Sequence, residues 1–209
     1  MRLICFDLGR VLVRIADGWE DACGHAGVER PAALDDPTAS EKLYHLQMDF
    51  ELGRADTREH TQQVAACIGV APPQVLAILT AWLRGAFQGA RELLADVSTK
   101  PVATACLSNT NAHHWSMMED QQNANYLPLA ILNFRFKSYS MGAMKPLAAV
   151  YEHVEAVSRI PAEEIMFFDD SPVNVEAALR RGWQAHRIHQ DRDPILQMRE
   201  LLAKAGVFP

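Results

Sequence analysis

The sequence predicts an α/β fold in which a doubly wound parallel sheet carries an inserted helical cap. Short apolar runs typical of buried strands alternate with amphipathic helical segments through most of the chain. One stretch near the N-terminus interrupts this alternation and shows only helical spacing with Pro/Gly breaks. Alternating strands and helices favour parallel strands with right-handed crossovers, which place helices on both faces of one sheet. We therefore expect a Rossmann-like core formed by residues 1–16 and 86–209, and a helical cap formed by residues 17–85.

The core elements follow in order from the apolar runs and their spacing. The first is a strand that begins at Leu3 and ends before Asp7, because Leu3–Phe6 is an uninterrupted apolar run. After the cap, strands and helices alternate to the C-terminus. We expect strands over residues 102–107, 131–136, 165–168 and 184–188, and helices over residues 90–97, 112–122, 147–157, 173–181 and from about 194.

The cap segment shows three amphipathic helical stretches. One includes residues 41–46, and a second starts at Thr57 and ends near Gly69. A third starts at Pro72, since proline is tolerated in a first helical turn, and its apolar positions Val75 and Leu79 then share one side. These stretches predict a small helical bundle.

Composition and charge indicate which kinds of molecule the protein binds. The chain has 209 residues and a formal net charge of −6, which argues against sequence-independent binding to nucleic acid. No apolar run approaches the roughly 20 residues of a membrane span, and no apolar signal segment precedes the first strand. The four cysteines are scattered and show no metal-binding spacing. We expect a cytoplasmic protein whose partner is a small molecule, and no pattern in the sequence fixes its oligomeric state.

Polar side chains follow the apolar runs at four places. Residues just past the carboxyl ends of parallel strands converge on one crevice of an open α/β sheet. We therefore expect a single site that contains a carboxylate, a hydroxyl, a cation and a pair of acids, a mixture suited to phosphoryl transfer. The segments are Asp7, Ser108-Asn109-Thr110, Lys145-Pro146 and Asp169-Asp170-Ser171.

Asp7 is the candidate nucleophile, because an ionised carboxylate can accept a phosphoryl group to form an aspartyl phosphate. A carboxylate 4 Å from one phosphate charge is repelled by roughly 4 kcal/mol at an effective dielectric constant near 20, so the site needs positive charge. Lys145 and a metal ion would supply it. Hard oxygen ligands beside a phosphate predict Mg²⁺, with Asp170 as a direct ligand and Asp169 holding a metal-bound water or Lys145.

Each of these residues also has a simpler structural explanation. Asp7 alone would be a turn or cap residue, Ser108 and Asn109 would cap a helix, and Lys145 would be a solvated charge. Asn174 is equally an outer partner of the acids or a helix-surface residue. The combination favours a phosphate site in which Ser108, Asn109 and Lys145 bind substrate, because hydroxyl, amide and free N–H groups at a helix start hold anions.

Four segments resemble, in order, spacing and chemistry, the motifs of the haloacid dehalogenase (HAD) superfamily of aspartate-nucleophile hydrolases. The helical stretch after the first segment is similar to the cap of that family. The segments are Phe6-Asp7-Leu8-Gly9, Leu107-Ser108-Asn109-Thr110-Asn111, Lys145-Pro146 and Phe167-Phe168-Asp169-Asp170-Ser171.

The resemblance implies roles for these residues. Asp7 would be the nucleophile and a metal ligand, residue 9 would ligate Mg²⁺ through its backbone carbonyl, and Asp170 would be the other metal ligand. Ser108 and Lys145 would bind the phosphoryl group and take part in catalysis. The first two segments are similar to those of bacterial sugar-phosphate phosphatases, a group that includes alpha-D-glucose-1-phosphate phosphatase. The expected function is a Mg²⁺-dependent phosphomonoesterase that acts on a small phosphorylated metabolite through an aspartyl phosphate.

Gly9 departs from the pattern of most phosphatases of this superfamily, which carry a second aspartate there as general acid and base. Such a group contributes about 10²- to 10⁴-fold in rate. Either the leaving group needs little protonation, as in an anomeric sugar phosphate or an acyl phosphate, or the cap supplies the acid. Two alternatives stay open: a carbon-halogen hydrolase, which uses the same aspartate without a metal, and a catalytically weak binding or regulatory protein. The paired acids Asp169 and Asp170 favour phosphate chemistry.

Overall fold

The computed structural model describes residues 1–208 and confirms the predicted fold class. Its strands are β1 (Leu3–Phe6), β2 (Val13–Ile15), β3 (Leu83–Ala86), β4 (Ala103–Ser108), β5 (Phe134–Lys137), β6 (Ile165–Asp169) and β7 (Gln184–Arg187). Its helices are α1 (Trp19–Ala26), α2 (Pro37–Glu51), α3 (Thr57–Ile68), α4 (Pro72–Ala81), α5 (Ala90–Ser98), α6 (Ala112–Glu119), α7 (Ser138–Met141), α8 (Ala148–Ser158), α9 (Pro172–Arg180) and α10 (Pro194–Lys204).

The main sheet has five parallel strands in the order β5-β4-β1-β6-β7. β1 is the central strand, and Phe6 pairs with Cys106 of β4 on one side and with Phe168 of β6 on the other. The chain therefore extends the sheet in both directions from β1. In open α/β sheets, the carboxyl end at such a reversal of strand order opens a crevice, and here Asp7 lies at that crevice.

Helices cover both faces of this sheet, and the alternation of side chains along β1 shows why. Ile4 and Phe6 pack on one face with the apolar sides of α5 and α10. Leu3 and Cys5 pack on the other face with apolar residues of α8 and α9. Because successive strand residues point to opposite faces, a strand buried on both sides must be apolar throughout.

Four helices, α1 to α4, lie between β2 and β3 and contain apolar clusters of their own. Leu43 of α2, Val64 of α3 and Val75 of α4 belong to one cluster. The start of α3 is fixed by a capping box, in which the Asp56 carboxylate accepts from the Glu59 N–H at 2.8 Å and the Glu59 carboxylate accepts from the Asp56 N–H at 3.0 Å. These helices correspond to the segment that the sequence predicts as a cap.

Two short strands escape sequence-based prediction. β2 and β3 form an antiparallel pair in which Val13 lies opposite Ala86 and Ile15 opposite Leu83. They are three and four residues long, and the sequence between them contains the four helices. Their pairing therefore depends on contacts between residues that are far apart in the sequence. Strands of three or four residues are too short for alternation of apolar and polar residues to predict such a pairing.

Most core boundaries lie within one residue of the predicted ones, and two differ by three residues at one end. The strand predicted over residues 131–136 runs from Phe134 to Lys137, because the Asn133 side chain accepts from the Thr104 N–H at 2.8 Å beside the start of β4. The helix predicted over residues 112–122 ends at Glu119. Asp120 leaves the helical conformation, and its carboxylate accepts from the Gln122 N–H at 3.0 Å.

In residues 1–208, no single helix has the length and apolar composition needed to cross a membrane. Only α3 and α4 taken together pass such a test, and they are bent by 108° relative to each other.

Candidate active site

Three neighbouring strands of the main sheet bring polar side chains to one edge. Asp7 directly follows β1, Ser108 is the last residue of β4, and Asp169 is the last residue of β6. The Asp7 N–H donates to the Phe168 carbonyl at 2.8 Å, so the β1–β6 pairing continues up to the carboxylates. Asp7 therefore lies between the ends of the two strands that flank β1.

Lys145 links two of these carboxylates. Its Nζ lies 2.9 Å from Asp7 Oδ1 and 2.7 Å from Asp169 Oδ2, and its side chain is 1% exposed. Burial opposes the charged form of Lys145, but the charges of Asp7 and Asp169 outweigh it and raise the pKa of the ammonium. Lys145 is therefore a fixed positive charge directly beside the candidate nucleophile.

Asp169 is satisfied by protein groups. Besides the ammonium of Lys145, its carboxylate accepts hydrogen bonds from the Asn174 amide at 3.1 Å and from the Ser171 N–H at 2.8 Å. Asn174 is thus a partner of the acids, one of the two explanations that its sequence position allows. These contacts orient Asp169 toward Lys145 and leave it few free lone pairs.

Asp170 differs from its neighbour. Its side chain is only partly buried and accepts no hydrogen bond from another residue in the part of the chain from 1 to 208. Ligand oxygens of Asp7, Asp169 and Asp170 all lie within 4.8 Å of one another. Burial and the neighbouring Asp169 raise the pKa of Asp170, and burial raises the pKa of Asp7 to about 7. Three carboxylates beside one ammonium form a set of hard oxygen donors that could hold a divalent cation.

The backbone near Gly9 presents a further oxygen. The hydrogen bonds around it run from the Arg10 N–H to the Val13 carbonyl and from the Val13 N–H to the Leu8 carbonyl. These bonds form the turn after β1 without using the Gly9 carbonyl as an acceptor. That oxygen is therefore available to a ligand.

Asn109 ties the end of β4 to the loop that carries Lys145. Its amide donates to the Lys145 carbonyl at 3.0 Å, and its side-chain oxygen accepts from the Lys145 N–H at 2.9 Å. Its side chain is thus engaged in positioning Lys145, and within residues 1–208 its backbone N–H donates to no backbone acceptor outside the regular elements, so it could donate to a bound anion. Ser108 is buried, and its hydroxyl makes only a long 3.5 Å contact with the Asn109 carbonyl. The Ser108 hydroxyl is therefore free to bind an anion.

A cavity of about 480 Å³ lies between these motifs and the helices α1 to α4. Leu8, Gly9 and Ser108 belong to its wall on the core side, and most of the remaining lining is aliphatic or aromatic. Its lining comprises Leu8, Gly9, Val13, Ile15, Trp19, Leu34, Ser40, Leu43, Tyr44, Gln47, Glu51, His60, Val75, Ile78, Leu79, Trp82, Leu83, Ser108, Asn109, Thr110, His114 and Met118.

Two polar residues of this lining, Glu51 and His60, were not identified from the sequence. Glu51 and His60 belong to different helices, α2 and α3, and neither lies in a motif. The one feature of the sequence that could have identified them is that each is a polar residue near the apolar side of its own helix. The packing that brings them to one cavity depends on contacts between helices, which the pattern of a single helix does not encode.

No protein-family model and no curated protein sequence matches the chain. Solved structures do match it. A HAD family enzyme from Bacteroides thetaiotaomicron is 20% identical with a TM-score of 0.81, covering 92% of this chain and 96% of that one. The same enzyme has also been solved in complex with magnesium and inorganic phosphate, with a TM-score of 0.77.

Two further matches carry related names. A predicted HAD-like family hydrolase from Porphyromonas gingivalis is 25% identical with a TM-score of 0.77, covering 97% of this chain and 98% of that one. The L-2-haloacid dehalogenase from Xanthobacter autotrophicus, with chloropropionic acid covalently bound, is 17% identical with a TM-score of 0.61 and covers 100% of this chain and 85% of that one. The structural neighbours of the chain are haloacid dehalogenase family enzymes, and the chain shares their fold.

Proposed function

We propose that the protein is a Mg²⁺-dependent phosphomonoesterase that acts on a small phosphorylated metabolite through a phosphorylated Asp7. The observation that carries the proposal is the placement of Lys145 between Asp7 and Asp169, with the carboxylate of Asp170 in the same cluster. A nucleophilic carboxylate with a fixed cation and a set of hard oxygen donors suits transfer of a phosphoryl group. The complex of a structural neighbour with magnesium and phosphate supports the same assignment.

In this proposal Asp7, Asp170 and the Gly9 carbonyl hold Mg²⁺, and Asp169 supports the site by orienting Lys145. The donor set fits the ion, because the Asp170 side chain accepts no hydrogen bond from another residue among residues 1–208 and hard oxygens are the ligands that Mg²⁺ prefers. When bound, the ion supplies positive charge that offsets the repulsion between Asp7 and a phosphate dianion. Lys145 and the Ser108 hydroxyl bind the phosphoryl oxygens, and Asp7 attacks phosphorus.

The experiment that tests this function is phosphate release from a panel of phosphorylated metabolites, with Mg²⁺ and with excess EDTA. We expect release with Mg²⁺, and a loss of at least about 10²-fold with EDTA, because the ion offsets several kcal/mol of repulsion. Halide release from haloacids that resists EDTA would instead support the carbon-halogen hydrolase. Absence of any turnover would support a binding or regulatory protein.

The lining of the cavity favours an apolar leaving group over a sugar. Several of its polar groups are already paired: the Gln47 amide donates to Glu51 at 2.7 Å, and His114 Nε2 lies 2.8 Å from the Leu79 carbonyl. Within residues 1–208, the Nδ1 atom of His60 is buried without a partner and offers one acceptor. Multiple sugar hydroxyls would therefore lose water without regaining hydrogen bonds, whereas an aromatic or branched aliphatic group would be buried favourably.

This substrate preference can be measured with two primary phosphate esters of similar intrinsic reactivity. We expect kcat/KM for 2-phenylethyl phosphate to exceed that for glucose 6-phosphate by roughly 10- to 100-fold, the effect of burying one aromatic side chain. Steady-state phosphate release with Mg²⁺ provides the comparison. Equal or higher kcat/KM for the sugar phosphate would contradict the apolar preference and support the sugar-phosphate assignment while leaving phosphatase activity intact.

A further inference from the structure

Gly9 leaves the site without the acid that most related phosphatases carry, and an alkyl ester needs a proton on its leaving oxygen. The cavity contains one carboxyl group that could supply it. Among the lining residues in the described part of the chain, 1–208, Glu51 is the sole acid, and none of them is a lysine or arginine. Glu51 lines the same cavity as Gly9 and Ser108.

A series of contacts holds the end of α2, where Glu51 lies, close to the segment that follows Ser108. It is the last residue of α2, and Gly53 just beyond it packs so closely against the Tyr139 carbonyl that no side chain fits there. Ser138, at the start of α7, both donates to the Thr110 carbonyl and accepts from the Thr110 N–H at 2.9 Å. The end of α2 is therefore fixed against the segment that begins with Ser108.

The surroundings of Glu51 suit a carboxyl group that gives and takes a proton. Its hydrogen-bond partner is the Gln47 amide, at 2.7 Å, and no lysine or arginine in residues 1–208 forms an ion pair with it. Burial raises the pKa of Glu51, and the Gln47 amide and the Lys145 charge lower it only in part. Its position at the C-terminal end of a helix also disfavours the ionised form.

We propose that Glu51 is the general acid and base of this active site, in the role that Gly9 cannot fill. The inference rests on the proposed phosphatase function. As Asp7 forms its bond to phosphorus, the ester P–O bond breaks, and the Glu51 proton passes to the departing alcohol oxygen. The Glu51 carboxylate then takes a proton from the water that attacks phosphorus, which releases orthophosphate, frees Asp7 and restores the Glu51 acid.

The test compares two leaving groups in the variant Glu51→Gln, which keeps the size of the side chain. Because kcat/KM reports the first irreversible step, it measures loss of the leaving group. The alcohol that leaves 2-phenylethyl phosphate needs a proton on its oxygen as the ester bond breaks. The 4-nitrophenolate that leaves 4-nitrophenyl phosphate is a stable anion at neutral pH and needs none. We expect kcat/KM to fall by about 10²-fold or more for the phenylethyl ester and by no more than a few fold for the nitrophenyl ester.

Two further variants serve as a control and as a test of rescue. Glu41→Gln removes an exposed carboxylate from the same helix and serves as the matched control, with both kcat/KM values expected to match the wild type. Adding Gly9→Asp to the Glu51→Gln protein should raise kcat/KM for 2-phenylethyl phosphate at least about tenfold above the value of Glu51→Gln alone. Residue 9 accepts a side chain without strain, since a Cβ there meets only Ile15, at 3.7 Å.

Equal losses for both esters, no loss for either, or no rescue by Asp at position 9 would overturn the role of Glu51. These outcomes differ from failure of the proposed function, in which the wild-type protein hydrolyses neither ester.

Discussion

Replacement of Asp7 with Asn is expected to abolish phosphate release, with a decrease in kcat of at least about 10⁴-fold, as when other nucleophilic catalysts are removed. The amide has nearly the shape of the carboxylate, but it cannot form a phosphorylated intermediate. The fold should survive, because Asp169 still pairs with Lys145 at 2.7 Å. Steady-state phosphate release with saturating Mg²⁺ measures the effect.

Asp191→Asn is the matched control, since Asp191 is exposed and belongs to none of the four motifs, and it should keep wild-type activity. Asp7→Ala provides a second variant that cannot revert to aspartate by deamidation. Hydrolysis at an undiminished rate in both Asp7 variants, with circular dichroism unchanged, would exclude Asp7 as the nucleophile.

Replacement of Lys145 with Met is expected to lower both activity and stability. Lys145 is the buried cation between Asp7 and Asp169, and removing one partner of such a cluster costs about 3 to 5 kcal/mol in free energy of unfolding. Loss of the charge that binds the phosphoryl group should also decrease kcat/KM by about 10²-fold or more. Lys42→Met, an exposed position on α2, is the matched control.

The stability loss in Lys145→Met should depend on pH in a defined direction. Lys145 lowers the pKa of Asp7 in the folded protein, so its removal raises that pKa further above the unfolded value. A carboxyl group with a raised folded-state pKa binds more protons when folded, and the folded state loses stability as pH rises through that range. Urea unfolding should therefore show that the variant loses more free energy of unfolding, relative to the wild type, at pH 8 than at pH 5. A deficit that is equal at both pH values, or larger at pH 5, would contradict the charge cluster.

The parts of the site that lie on the parallel sheet were predictable from the sequence, because two simple rules determine them. Apolar runs marked β1, β4 and β6, and the rule that parallel strands end at one edge then placed Asp7, Ser108 and Asp169 side by side.

The cap side of the site was not predictable in the same way. Glu51 and His60 reach the cavity through packing among α2, α3 and the core, and the β2–β3 pair depends on residues about 70 positions apart. These features arise from contacts between elements, and a helical pattern reports only which face of a helix is apolar. The engagement of the Asn109 side chain with the Lys145 backbone is of the same kind, because it needs the exact path of a loop.

Chemical capture of the intermediate tests most directly whether Asp7 is the nucleophile. Protein mixed with Mg²⁺ and 2-phenylethyl phosphate labelled in the phosphate is quenched in acid within one turnover, digested, and analysed by mass spectrometry. We expect a phosphorylated peptide modified at Asp7, present with Mg²⁺ and absent with EDTA. Rapid phosphate release without a modified Asp7, or a phosphoryl group on another residue, would contradict this role of Asp7.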